Sequence, residues 1–332
     1  MKNITQMLKI DRPTLIAFLC VIVLLLLGAL YSPNFLSADY LLKQLQVASF
    51  LGVIASGLML VILLGHIDLS IPWTISIGGM MATASAGFFG PQIGVPLAIP
   101  FGIVCGLAVG LVNGFGVAYL RAPSMIFTLG VNAVAQGLMV IHTGGFAPQD
   151  HATDATIELA AGHLIPGVAN SVIVWFVVGL ATVFVLSRTG LGRRIYAIGN
   201  RERAVFLSGV NTRRVVLTCF AISGACAGAG GVLLAGYANR SYQAMGDAYL
   251  LPAIAAVVLG GTSVMGGKGR YLGTVVGVIL ITILQSILSV LQPQALLAEL
   301  GMKLPAESVR QIIFGIVIVG MLLLYGREKA IR

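Results

Sequence analysis

A chain of 332 residues that is 58% hydrophobic and only 9% charged is excluded from the ordinary soluble domains, where about 25% of residues carry charge. Mean hydropathy is +0.99, and several apolar runs reach the ~20 residues that cross a bilayer as a helix. The fold class read from composition is therefore an all-α, polytopic membrane bundle, whose net charge of +9 is explained by topology and anionic lipid without a nucleic-acid partner.

Ten apolar segments follow in chain order, at about 14–31, 44–64, 71–89, 93–119, 124–142, 169–187, 215–237, 248–262, 271–291 and 309–325. The first is preceded by Lys and Arg, and "YSPNFLSADY" after it lacks a small-x-small cleavage pattern, so it reads as an uncleaved helix. Between the second and third lies "GHIDLSIPW", where His66 and Asp68 stand two apart. On a continuous helix they would project to different sides. Gly65 and Pro72 instead mark a break, so residues 65–71 are expected to be unwound, tolerable at depth only inside protein or beside water. Asp68 or Ser70 is then expected to accept from the free amides that open the next helix, or Asp68 faces a path with His66 beside it.

Glycines recur at four-residue spacing: Gly106, Gly110 and Gly114, then Gly224 and Gly228, then Gly273 and Gly277. Such faces let helices approach closely in lipid. The loop at 143–168 divides the chain into halves of about 1–142 and 169–332, and five segments in each half imply an inverted repeat within one transmembrane domain. Residues 188–214 are strongly basic, with "ERAVFLSG" at helical spacing and ending at Gly209; the segment reads as a short amphipathic helix, anchoring on lipid or docking a partner. The eighth apolar segment is short, which indicates a span that is broken or partial.

Charge sets the threading. With both termini in the cytoplasm, only Lys43, Arg240, Lys303 and Arg310 of the 20 basic residues fall outside, while Asp39, Asp150, Asp154, Glu158, Asp247, Glu299 and Glu307 of the 11 acids do. The four cysteines all lie in apolar runs, and the four histidines show no metal spacing. "GGTSVMGGKG" fails as a nucleotide loop because Gly269 follows Lys268 where Ser or Thr is required. No catalytic set, cofactor or metal site is expected, and any ATP-driven step needs another subunit.

Four stretches then carry a family resemblance: "GHIDLSIPWTISIGGMMA", "GLVNGFGVAYLRAPSMIFTLG", "RTGLGRRIYAIGNRERAVFLSGV" and "AIAAVVLGGTSVMGGKGRYLGTVVG". Together they resemble the membrane permease of bacterial ABC importers for monosaccharides, the ribose, xylose and galactoside type. The resemblance implies an inner-membrane complex of two permease copies or paralogues, a cytoplasmic ATPase and a periplasmic sugar-binding protein. It implies that the 188–214 loop couples to the ATPase through a short helix from Gly199 to Gly209. The residues concerned are Arg193, Tyr196, Gly199, Asn200, Glu202, Ala204, Val205, Phe206, Ser208 and Gly209. Polar residues suited to sugar hydroxyls are His66, Asp68, Ser70, Ser76, Asn113, Thr128, Asn132, Gln136 and Gln285, with interhelical hydrogen bonding as the competing role for each. An ion-coupled carrier would need several intramembrane carboxylates, and Asp68 is the one acid read as well inside a span. A permease for branched-chain amino acids is the nearest alternative of similar layout.

Overall fold

The computed structural model describes residues 12–148, 150–291, 308–309, 311–316 and 319–320. Its helices are α1 (Arg12–Tyr31), α2 (Ala38–Leu63), α3 (Ile71–Phe89), α4 (Pro91–Ala118), α5 (Ser124–His142), α6 (Asp154–Ala161), α7 (Asn170–Arg188), α8 (Gly190–Leu207), α9 (Thr212–Ala238), α10 (Leu250–Leu259) and α11 (Tyr271–Leu291). Among the described residues, β pairing is confined to the isolated bridges His151–Arg240 and Ile165–Val168, and seven helices are long and apolar enough to cross a membrane. Of the tenth apolar segment, residues 309, 311–316 and 319–320 are described, all of them helical; the rest of that expectation lies outside the described residues.

Helix α2 forms the axis of the bundle, with every residue from Ala48 to Leu63 buried. That part of its sequence is apolar on all sides but for Ser49 and Ser56, as a helix enclosed by other helices must be. Helices α7, α9, α10 and α11 pack around it, and α3 and α4 pack on α9. Where α2, α7 and α11 meet, the Tyr271 hydroxyl bonds Ser56 Oγ at 2.8 Å and accepts from Trp175 Nε1 at 3.1 Å. The glycine spacing serves packing. A Cβ on Gly224 would lie 2.7 Å from the Gly110 Cα, and one on Gly106 would lie 2.7 Å from the Gly228 Cα, so α4 and α9 touch backbone to backbone.

Two features depart from the sequence reading. The 143–168 stretch, read as a loop, contains the short helix α6. Thr153 opens it by accepting from the Thr156 amide at 3.3 Å, and Gln46 Nε2 donates to the Ala160 carbonyl at 3.3 Å, which ties α6 to α2. The second is the course of residues 239–249. The chain leaves α9 through Asn239 at φ 56° and turns back into the bundle along α3. Ser241 Oγ lies 2.9 Å from Thr83 Oγ1, and the Gly246 amide donates to Ser76 Oγ at 3.3 Å. Gly246 sits against Pro72 with no room for a side chain. Ile75 and Gly79 face Gly231, seven residues from the end of α9, so Gly246 has descended about 10 Å. Helix α10 then continues from there. At 10 residues it is about 15 Å long, half a hydrocarbon core of ~30 Å. The eighth segment is short because irregular backbone makes up the rest of its course.

One end of the bundle, the basic end, carries Arg121, Arg193, Arg194, Arg201, Arg203 and Lys268 on its connections. The other carries α6 and the α3–α4 turn.

Candidate functional site

Helix α2 stops because Gly65 adopts φ 84°, a left-handed conformation that glycine takes at no steric cost. The chain then runs non-helically to Ser70. Asp68 is 1% exposed, and its Oδ1 accepts from the Ser70 amide at 3.0 Å and from Ser70 Oγ at 2.7 Å. Ser70 Oγ in turn accepts from Asn113 Nδ2 at 2.6 Å. Asp68 is therefore the terminus of a chain of donors running from α4, and it fixes the turn that launches α3.

The sequence points to Asp68 or Ser70 as cap acceptors, and the structure gives much of that task to another helix. Ser70 holds the N-cap position of α3 without a side-chain cap bond. The Trp73 amide donates instead to Asn132 Oδ1 of α5 at 3.2 Å. Two further amides of the connection follow suit: Ile67 N–H donates to Ser124 Oγ at 3.3 Å and Leu69 N–H to Thr128 Oγ1 at 2.9 Å. The match is geometric. Extended residues 67 and 69 are about 6.6 Å apart along the chain, and helical residues 124 and 128 are about 6 Å apart. Buried amides need partners, and α5 supplies three at a spacing of four.

Asp68, Ser70, Asn113, Thr128 and Asn132 are thus brought together. Ser76 is buried one turn further along α3, where it holds Gly246. His66 is half-buried, its ring 6.1 Å from that of Phe220 and within electrostatic reach of Glu202. Gln136 lies one turn past Asn132 and is exposed. Gln285 is not part of the group: it is exposed on α11, which packs on α1, α2 and α10.

Sequence reasoning missed Tyr242, Gln243 and Asp247 on the re-entrant stretch. The available signal was the polar run "NRSYQAMGD" directly before an apolar segment too short to span. Beside this stretch, at the end away from the basic one, a cleft of about 460 Å³ is lined by Met80, His142, Thr143, Phe146, Ala147, Pro148 and Asp150. Gln243 Nε2 reaches its wall, donating to Thr143 Oγ1 at 2.8 Å and to the Phe146 carbonyl at 3.1 Å.

At the basic end, the helix expected from Gly199 to Gly209 has other limits. Helix α8 begins at Gly190, capped by Thr189 Oγ1 accepting from the Gly192 amide at 3.3 Å, and breaks at Arg201 (φ −156°, ψ 88°). It resumes to Leu207, and Gly209 at φ 83° turns the chain away. The break falls just past the place where Gly199 and Asn200 lie against Gly266 and Gly267 with no room for a side chain on any of the three glycines. Tyr196 OH donates to the Gly269 carbonyl at 2.9 Å, and the Gly267 amide donates to the Leu63 carbonyl at 2.9 Å. The glycine-rich loop that fails as a nucleotide site is therefore the seat of this segment.

Beyond the break, Glu202 pairs with Arg121 Nη1 at 2.9 Å and accepts from Thr212 Oγ1 at 3.1 Å. Val205 is half-buried against the core. Phe206 and Leu207 are 56% and 84% exposed, and Ala204, Ser208 and the Arg193 side chain are exposed too. The outward apolar pair is thus 206 and 207.

The family described as "Branched-chain amino acid transport system / permease component" matches residues 40–322. The ribose import permease protein RbsC of Haemophilus influenzae is 31% identical over 297 residues, covering 88% of this chain and 90% of its own length. The D-allose transport system permease protein AlsC of Escherichia coli is 30% identical over 282 residues, covering 83% and 84%. The autoinducer 2 import system permease protein LsrC of Salmonella typhi is 30% identical over 321 residues, covering 96% and 86%. No solved structure matches the chain.

Proposed function

The chain belongs to the branched-chain amino acid transport system / permease component family, and from that premise we propose that it is the permease subunit of an ABC importer for a monosaccharide. The observation that carries this reading is the similarity to ribose and allose permeases over more than four fifths of both chains. A periplasmic binding protein delivers the sugar, and a separate cytoplasmic ATPase drives the step. A second permease copy or paralogue completes the path.

The finer assignments rest on pattern and chemistry. Ten crossings in two inverted halves, with both termini inside, put the basic end in the cytoplasm, in keeping with the distribution of Lys and Arg. The 188–214 segment docks the ATPase through its outward Phe206 and Leu207. Asp68, Ser70, Ser76, Asn113, Thr128 and Asn132 hold the backbone in place, while His66 and Gln136 present polar groups to the path.

Proteoliposomes holding this permease with its ATPase and binding protein test the reading. ATP-dependent uptake of a labelled monosaccharide such as ribose or allose is the expected result. Uptake of leucine with no response to any sugar would replace it with the amino acid alternative.

A further inference from the structure

Two stretches of the bundle interior leave helical geometry. The connection at 64–70 has its polar backbone satisfied by α5 and its carboxylate enclosed. The stretch at 239–249 is held by α3 and, through Gln243 and Asn239, by residues 143–152, yet part of it stays uncovered. Ser241, Met245 and Gly246 face α3 and are buried, whereas Tyr242 is 49% exposed and Ala244 and Asp247 are exposed. The Asp247 carboxylate accepts no hydrogen bond and joins no ion pair among the described residues.

Lipid is a poor cover for this face. Irregular backbone and an unpaired carboxylate are tolerated at membrane depth only beside protein or water. The cleft of about 460 Å³ opens at the upper part of the same stretch, since Met80 lines it and the neighbouring Gly79 holds Met245. That volume lies within the roughly 300–1,000 Å³ of small-molecule sites. Gln243 links the cleft to the re-entrant stretch through its bonds to Thr143 and Phe146.

We propose that the exposed side of residues 239–249 lines the water-filled path below this cleft, and that Asp247 is a contact residue for the hydroxyl groups of the passing sugar. The assignment rests on the importer reading and names its substrate contact. A carboxylate accepts from two adjacent hydroxyl donors at once, a pattern that polyhydroxylated neutral solutes provide. Tyr242 adds an amphipathic ring beside it, apolar on its faces and polar at its tip.

The test uses the whole complex in proteoliposomes, with Cys20, Cys105, Cys219 and Cys226 replaced by Ala. A membrane-impermeant thiol reagent should label Asp247→Cys and Tyr242→Cys. Saturating sugar with binding protein and ATP should slow that labelling several-fold, which a merely structural residue would not show. Asp247→Asn should keep its ATPase and insert normally, yet lose about tenfold in uptake at limiting sugar, the effect of one hydrogen bond to a charged group. Asp247→Glu should recover part of the loss. Labelling of Asp247→Cys by a lipid-soluble maleimide alone overturns the proposal, and so does Asp247→Asn uptake equal to that of the parent. If the parent complex imports sugar while the thiol of Asp247→Cys is never protected, the contact fails and the importer reading stands. If the parent imports no sugar although the thiol of Asp247→Cys is open to water, the importer reading fails and takes the sugar contact with it.

Discussion

At Thr128 a single hydroxyl both closes a bond within its own helix, to the Ser124 carbonyl at 2.8 Å, and accepts from Leu69 of the connection. Replacing it with Val keeps the shape and leaves the Leu69 amide without its acceptor, a cost of about 1–3 kcal/mol. Thr128→Val should lower the thermal midpoint of the purified protein, and Thr128→Ser should restore it; equal midpoints for all three would mean that water replaces the hydroxyl. Asp68 admits a finer comparison. Asp68→Asn retains an acceptor for the Ser70 amide, so it should express as well as the parent, while Asp68→Ala should lose folded protein. If Asp68→Asn is folded, binds the ATPase and transports poorly, the carboxylate serves the path as well. In the sequence, the break at Gly65 and Pro72 was legible because both residues restrict or free specific backbone angles. The partners of Thr128 and Asn132 were not, because a hydroxyl that lines a path and one that caps a distant amide look the same in one dimension.

Elements with strong apolar periodicity were legible nearly to the residue: 124–142 is α5, and 71–89 is α3. Helix α6 and the re-entrant stretch were not, since eight residues of mixed polarity and a run of turn-forming residues carry no period to read. The docking helix was half legible. Its amphipathic composition located it, but which apolar side chain points outward depends on the break at Arg201, which follows the contact of Gly199 and Asn200 with the distant loop at Gly266 and Gly267. This sharpens the mutational expectation. Phe206→Asp and Leu207→Asp change exposed positions, so each should leave the permease inserted while the ATPase no longer copurifies. Val205→Asp places a charge against the core and should instead reduce folded protein. Retention of the ATPase by both exposed variants would make the segment a lipid anchor. Between α4 and α9, a Gly224→Val change has no space to occupy. It must push two helices apart, and it should lower the thermal midpoint more than Thr128→Val does.

For the molecule as a whole, composition shows which solvent surrounds it, and the distribution of charge implies which end faces the cytoplasm. Labelling of a cysteine at residue 200 from the cytoplasmic side alone is the expected outcome, and labelling from outside would invert the threading. Asp247, counted among the outer acids by its position between apolar segments, lies beside Gly246, which packs on Pro72 and Ser76 of α3. Acids in short loops do not report depth when the loop itself turns back into the bundle.

The three bonds from α5 to the 67–73 stretch impose a discrete rule on motion. Helix α5 is among the least enclosed of the long helices and packs on α3 and α4, so these bonds fix its register as teeth do on a rack. A slide of half a turn would strand all three amides at once, at about 1–3 kcal/mol for each buried donor. A slide of four residues, about 6 Å, would offer each amide the next oxygen in the series, with Gln136 standing ready as the fourth. Intermediate positions are therefore disfavoured, and any rearrangement of this helix along its axis is quantised in steps of four residues.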